Sequence, residues 1–304
     1  MNKKIMVIVI ILAVAVLLAL FYVTYNSRSG NVMNLDTGMT YKGIQEAIDA
    51  NDTKDGHTLL IYPGIYHESV RVNKRLTIKG QYRDEVFVEA GNNSVIIILV
   101  QADYSTVANL TVQGNTFGIW CRNVKGCIVS GNRVIDCTTG IRLDSYDLSK
   151  PSESGCVVKG NEVLNGTLRG IHLYGAYNNT VIDNFIQDTR DVNGAYAAID
   201  VELSRNNTLV HNQLKNNDCG VWLNLGALNT TIYHNNFISN SLQVSLKYNE
   251  GGSASWDNGY PSGGNYWSDY TGTDADHNDI GDIPYRVGEK DLDRYPLMSA
   301  EAFP

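Results

Sequence analysis

The chain has 304 residues, a formal net charge of −8, 18% charged residues and only 6 prolines. Clustered Lys and Arg, which phosphate binding needs, are missing, so nucleic acid is not expected as a partner. The acidic balance suits solubility or cation binding, and the length accommodates one or two ordinary domains or a single solenoid.

Lys3 and Lys4 precede an apolar run, Ile5 to Val23, that carries no charge. As a helix this run would cover roughly 28 Å, enough to span a bilayer. It ends in the bulky residues LFYVTY rather than in a small-residue cleavage site. An uncleaved anchor is therefore expected in preference to a removed signal peptide. With the lysines on the cytoplasmic side, everything after Thr24 lies outside. A polar linker follows, and residues 1–38 form the anchor-and-linker segment.

YKGIQEAIDA then places Ile44, Ala47 and Ile48 on one helical face. A short amphipathic helix before a β-solenoid would cover the open end of its first coil. Strands are expected at TLLIYPG, SVRVN, RLTIKG, EVFVEA and SVIIILV, with Pro63-Gly64 and Gly80 as turns.

From Val107 to Leu246 a degenerate repeat dominates. Its first strand reads IVSGNRVI, VVKGNEVL, TVIDNFIQ, TLVHNQLK and TIYHNNFI, with in-register asparagines Asn132, Asn161, Asn184, Asn212 and Asn235. Its second strand reads GIWCR, GIRLD, GIHLY, AIDVE, GVWLN and QVSLK. A unit of this length cannot bury its own apolar face and has to stack on its neighbours. The alternation within each second strand has the two-residue period of a half-buried strand, and no 3.6-residue stripe competes with it. The fold class is therefore all-β, a parallel β-helix over residues 39–255. The asparagines recur where the chain must bend, so they predict a structural ladder rather than a functional site.

Stacking aligns the outward positions of the second strand in two columns. One holds Trp120, Arg142, His172, Asp200, Trp222 and Ser245; the other holds Arg122, Asp144, Tyr174, Glu202, Asn224 and Lys247. Aromatic faces that stack on pyranose rings, beside charged groups that bond hydroxyls, make a sugar-binding groove. Trp120, Arg122, Tyr174, Trp222, Asn224 and Lys247 are its candidate binding residues, and insertions around 144–154 and 188–195 its candidate walls. Catalysis there would fall to Asp144, Asp200 and Glu202, assisted by His172 and Arg142. Asp144 and Glu202, two coils apart, would have backbones about 9.6 Å apart, near the carboxyl separation of an inverting glycosidase. His172 could tune Asp200 one coil away. Three functions stay open: a glycan binder, a glycan-cleaving enzyme, and a structural envelope or adhesion module.

Cys121, Cys127, Cys137, Cys156 and Cys219 allow at most two internal disulfides, and Cys127 with Cys156 is the pair that stacking would bring into range; otherwise all five are small core residues. Asn-x-Ser/Thr triplets at Asn51, Asn92, Asn109, Asn165, Asn178, Asn206 and Asn229 would allow glycosylation of an exported chain. Residues 256–304 are expected to close the last coil with Trp256, Tyr260, Tyr266, Trp267 and Tyr270. Within them Asp274, Asp276, Asn278, Ile280 and Asp282 place oxygen donors at alternate positions, as in the first part of an EF-hand-type loop. Asp279 stands where that loop prefers glycine and Tyr285 where it has a bidentate Glu. Structural Ca2+ is the expected ligand.

IQEAIDA with TLLIYPGIYHESVRVNKRLTIKG, and GGNYWSDYTGTDADHNDIGDIPY closed by DRYPLM, resemble the two ends of NosD-like and carbohydrate-binding or sugar-hydrolase-type β-helix proteins of the pectate-lyase-like superfamily. The resemblance implies a right-handed helix and an extracellular, cell-surface setting with polysaccharide or surface glycan as partner. It also raises copper delivery. Soft copper sites want clustered Met, Cys or His. Here six histidines are spread along the sequence and the five methionines sit near the termini, so a copper-handling role is not expected.

Overall fold

A computed structural model describes residues 31–91, 94–114, 116–145, 154–190, 194, 196–247 and 253–302. The apolar run at 5–23, read as a membrane anchor, lies outside them. Among the described residues no helix is long and apolar enough to cross a membrane.

Short strands stack into three sheets of eleven, nine and eight strands, and each coil contributes one strand to each sheet in turn. One coil runs Thr106–Ala108, Thr111–Gln113 and Phe117–Arg122 before the next begins at Ile128–Ser130. Pairing between coils is parallel throughout the stack, with Ile119 beside Ile141, Ile171 beside Ile199, and Val221 beside Val244. These side chains and Cys121, Leu143, Leu173, Val201 and Leu223 fill one continuous core. Each fully buried aliphatic contributes roughly 1.5–3 kcal/mol, so the stacked columns supply the main driving force.

The glycine of the Gly-Ile signature has a steric cause. A Cβ on Gly140 would meet the Gly170 carbonyl oxygen at 2.7 Å and Val163 at 2.6 Å; one on Gly170 would meet the Ala198 carbonyl oxygen at 2.5 Å. Successive coils approach too closely there for most side chains.

The asparagine ladder forms as expected. Asn132, Asn161, Asn184, Asn212 and Asn235 each donate from Nδ2 to the Oδ1 of the next at 2.9–3.0 Å, and the series runs one step further, to Asn265. Shorter ladders join Asn179 to Asn207 and Asn217 to Asn240 at other corners. Buried corners would otherwise strand backbone groups, and the amide side chain satisfies a donor and an acceptor at once. Among the glycosylation triplets, Asn109, Asn165, Asn178, Asn206 and Asn229 all take left-handed backbone with φ of 51–60°. Asn92 lies outside the described residues.

The helix α1 (Ile44–Asp49) buries Ile44, Ala47 and Ile48 against the first coil. Glu68 accepts from the backbone N–H of Ile44 and Gln45 at its start, and Lys74 donates to the carbonyls of Ile48, Ala50 and Thr53 near its end. Opposite charges thus meet the two poles of a short helix. Before it, the stretch read as linker is built in from Val32 onward: Val32–Asn34 pairs antiparallel with Thr58–Ile61 and with Thr40–Tyr41. Val32 is fully buried, and apolar packing recruits the segment to the sheet edge.

At the far end Trp267 stacks between Phe237 of the last coil and Tyr285, at centroid distances of 4.2 and 4.3 Å. Trp256 is buried beside them, whereas Tyr260 is exposed and takes no part in the plug. Asp293, fully buried, accepts from the Asn265 N–H and from Trp267 Nε1. All five cysteines are buried with free thiols.

Candidate functional site

The outer face of the eight-stranded sheet carries the two columns in register. Trp120 pairs with Arg142, Arg142 with His172, His172 with Asp200, and Asp200 with Trp222; Arg122, Asp144, Tyr174 and Glu202 run beside them. The face is not the open platform expected from alternation alone. His172, Asp200, Trp222 and Asp144 are buried, at 2, 0, 3 and 5% exposure. Trp222 forms a small separate apolar cluster with Ala197 and Cys219, and its Nε1 donates to the Lys247 carbonyl. Tyr196 lies close to it, with ring centroids 6.5 Å apart. Pairing sets which way a strand's side chains point, but not what folds back over them. Most residues of the two expected wall insertions lie outside the described residues. Trp120, Arg122, Arg142, Tyr174, Glu202 and Asn224 are partly exposed, and Lys247 is exposed.

Charge on this face is arranged in pairs. Arg142 Nε lies 3.0 Å from Asp144 Oδ2, with the guanidinium over Trp120 and Tyr174 at 4.9 and 5.2 Å. Arg169 Nε lies 2.7 Å from Asp200 Oδ2, with its guanidinium 3.6 Å from the Tyr196 ring centroid. Arg169 was missed in the sequence because it precedes the Gly-Ile signature. It belongs to a third outward column with Phe117 and Thr139, and RGIHLY carried the signal.

His172 Nε2 stands 3.5 Å from Glu202 Oε2, an ion-pair distance without an aligned hydrogen bond. Burial pushes the Asp200 carboxyl up to about 6 despite Arg169. Burial also pushes the His172 imidazole down to about 4, and nearness to His172 holds Glu202 below its ordinary value. At neutral pH His172 is uncharged and Glu202 ionised, while Asp200 is mostly ionised and reaches its midpoint about one pH unit lower. Ligand atoms of His172, Asp200 and Glu202 lie within 4.8 Å of one another. Thr139 Oγ1, Trp120 Nε1, Asp144 Oδ1, both His172 nitrogens and Asp200 Oδ1 are buried without a hydrogen-bond partner. Leaving such a group unpaired costs about 1–3 kcal/mol.

The 274–282 loop is held by its own backbone. Asp274 accepts from the N–H of Asn278 and Asp279, Asp282 from that of Ala275, and Asn278 Oδ1 from that of Ile280; Asn278 Nδ2 donates to Asp276. Gatherings of at least three acidic, imidazole or thiol ligands among the described residues occur elsewhere, at His172/Asp200/Glu202 and at His211/His234/Glu301. A hollow of about 620 Å³ lined by Arg83, Lys159, Glu162, Asp183, Phe185 and Gln213 lies at the corner between the other two sheets, away from this face.

A stack of parallel coils with a polar outer face defines a parallel β-helix protein. The chain matches the family described as periplasmic copper-binding protein (NosD) over residues 23–272, and it belongs to that family. A cell surface glycoprotein of Methanothermus fervidus is 33% identical over 106 residues, 35% of this chain and 18% of that protein. A probable ABC transporter binding protein NosD of Stutzerimonas stutzeri is 29% identical over 120 residues, 36% of this chain and 27% of that protein. The chain thus spans less than a third of the length of either relative. Among solved structures, the catalytic unit of a thermostable GH87 α-1,3-glucanase from Streptomyces thermodiastaticus aligns over 76% of this chain and 66% of that one, with 14% identity and a TM-score of 0.34.

The family description raises copper, and cuprous copper takes thiolate and thioether ligands. The five thiols are buried in the fold, and burial raises the pKa of Cys121, Cys137 and Cys219. Of the described methionines, Met33 and Met39 flank the first coil and Met298 lies in the C-terminal segment. Cys127 and Cys156, whose thiols neighbour each other, are likewise sealed in the core, so the described residues offer no open soft-donor cluster for cuprous copper.

Proposed function

We propose that this is an exported, surface-located β-helix protein whose eight-stranded sheet binds a polysaccharide or surface glycan through its outer face. The observation that carries the reading is the partly exposed row of Trp120, Arg142 and Tyr174, with Arg122 and Glu202 beside it, held in register on neighbouring coils. Aromatic faces stack on sugar rings, and the charged groups bond hydroxyls. The surface location draws on the cell surface glycoprotein relative and on the charge-free run at 5–23, which we read as an anchor. A glycan array probed with the full-length chain tests the binding. Trp120→Ala and Tyr174→Ala should each lose retention, and equal retention by both variants and the wild type would refute the proposed face.

A second reading, glycan cleavage, is favoured by Asp200 and Glu202, two carboxyls on one strand whose environments drive their pKa values apart. In it Asp200 serves as acid and Glu202 as base. Release of reducing ends, or of unsaturated ultraviolet-absorbing products, abolished by Asp200→Asn, would separate an enzyme from a binder.

Calcium in the 274–282 loop belongs to the same proposal as a structural ligand, supported by the alternate spacing of its oxygen donors.

A further inference from the structure

We propose that His211, His234 and Glu301 form a binding site for a divalent transition-metal ion, with Zn2+ as the reference ligand. The histidines are 23 residues apart in sequence, yet adjacent coils bring their ring centroids to 5.1 Å. Each is the residue before a ladder asparagine, at the corner between the eleven- and nine-stranded sheets. Both take left-handed backbone, with φ of 53° and 57°. That conformation is costly for a non-glycine residue, and in earlier coils the equivalent corner holds Gly131, Gly160 and Asp183.

Glu301 comes from the C-terminal segment and is fixed by reciprocal bonds to the Asn236 side chain: Asn236 Nδ2 donates to its carbonyl at 2.8 Å, and its N–H donates to Asn236 Oδ1 at 2.9 Å. Its carboxylate lies 2.9 Å from His211 Nδ1 and 3.2 Å from His234 Nδ1. Two ligands on a tetrahedral ion with bonds of about 2.0–2.1 Å are about 3.3 Å apart, so each imidazole already stands near ligand spacing from a carboxylate oxygen, and the three ligand atoms lie within 4.8 Å of one another.

His234 Nε2 lies 2.8 Å from the Ser262 carbonyl oxygen and 3.2 Å from the Ser262 hydroxyl, which leaves Nδ1 as the nitrogen that faces Glu301, 3.2 Å away. A ligating histidine that donates its other N–H to a backbone carbonyl is the outer-shell arrangement that metal sites use. Two imidazoles and one carboxylate suit zinc and the neighbouring borderline ions rather than calcium or cuprous copper. His211 is 42% exposed at its side chain, which leaves room for water to complete the coordination.

The test is calorimetric titration of the tag-free, EDTA-treated full-length chain with Zn2+. The wild type should take up one equivalent at this site, with protons released from the imidazoles. His211→Asn, His234→Asn and Glu301→Gln should each weaken uptake by at least about 10-fold, since losing even an outer-shell partner costs 10- to 100-fold. Asn tolerates the left-handed corner, and unchanged circular dichroism confirms that the coils remain intact. His172→Gln, which disrupts the other His/Asp/Glu gathering, should leave the affinity unchanged. Absence of uptake by the wild type, uptake equal to it in all three corner variants, or loss in His172→Gln alone would each overturn the assignment. Loss in the three corner variants leaves the glycan reading untouched, because that reading uses a different sheet.

Discussion

Arg169 Nε sits 2.7 Å from Asp200 Oδ2, and the two side chains, from neighbouring coils, are 14% and 0% exposed. This pair holds a charge where the stack would otherwise be apolar. Removing one partner of a buried pair leaves an uncompensated charge and costs about 3–5 kcal/mol, whereas removing both costs far less. Arg169→Met should therefore destabilise strongly at neutral pH in urea denaturation, and Arg169→Met/Asp200→Asn should recover most of the loss. Equal stability of the single and double variants would show that the pair is not coupled.

The same burial gives Asp200 an acid-side signature. Its folded pKa of about 6 lies above the ordinary carboxyl value of 3.8, so between those values the folded state holds more protons there than the unfolded state. Raising the pH through this window costs stability, on the order of 1–3 kcal/mol, and the contribution is fully favourable only below the unfolded pKa. Relative to wild type, Asp200→Asn should gain stability as the pH rises from about 4 to about 6. Carboxyl NMR should place the Asp200 midpoint near 6, and a midpoint near the ordinary carboxylate value would contradict the burial argument.

Asn184 accepts from the backbone N–H and the Nδ2 of Asn161 and donates to the Val158 carbonyl and to Asn212. Asn184→Ala should break the ladder in the middle and strand several buried groups, at about 1–3 kcal/mol each before relaxation. Denaturation midpoints should fall much further than for Asn165→Ala, whose side chain lies at an exposed corner. Similar losses for the two would argue that the ladder adds no special stability.

Calcium at the 274–282 loop should be read out by the stability of the C-terminal cap. The loop is tied to the last segment through Gly281 N–H to the Pro296 carbonyl and Met298 N–H to the Asp279 carbonyl. Added at 100 times its Kd after EDTA treatment, Ca2+ should stabilise by about 2.7 kcal/mol and raise Tm by several degrees. Asp276→Asn should blunt the shift, and a Tm indifferent to Ca2+ would remove the loop from consideration.

The architecture was legible in the sequence because its causes are local and repeated. Two-residue alternation, a glycine where coils touch, and an asparagine at each bend recur often enough to set the register, so Arg142, His172 and Asp200 could be placed side by side from spacing alone. What covers that face was not legible. Trp222 packs with Ala197 and Cys219 beside Tyr196, and Asp200 is paired with Arg169 of the neighbouring coil; no periodic pattern encodes those contacts. Arg169 was missed because only packing shows which outward column reaches across to Asp200. The corner histidines were dismissed as scattered because linear separation hides adjacency: His211 and His234 meet only when coils stack, and Glu301 joins them only when the C-terminal segment folds back onto Asn236. Short-range periodicity therefore determined the coil, whereas contacts between coils and with the C-terminal segment decided which polar groups meet.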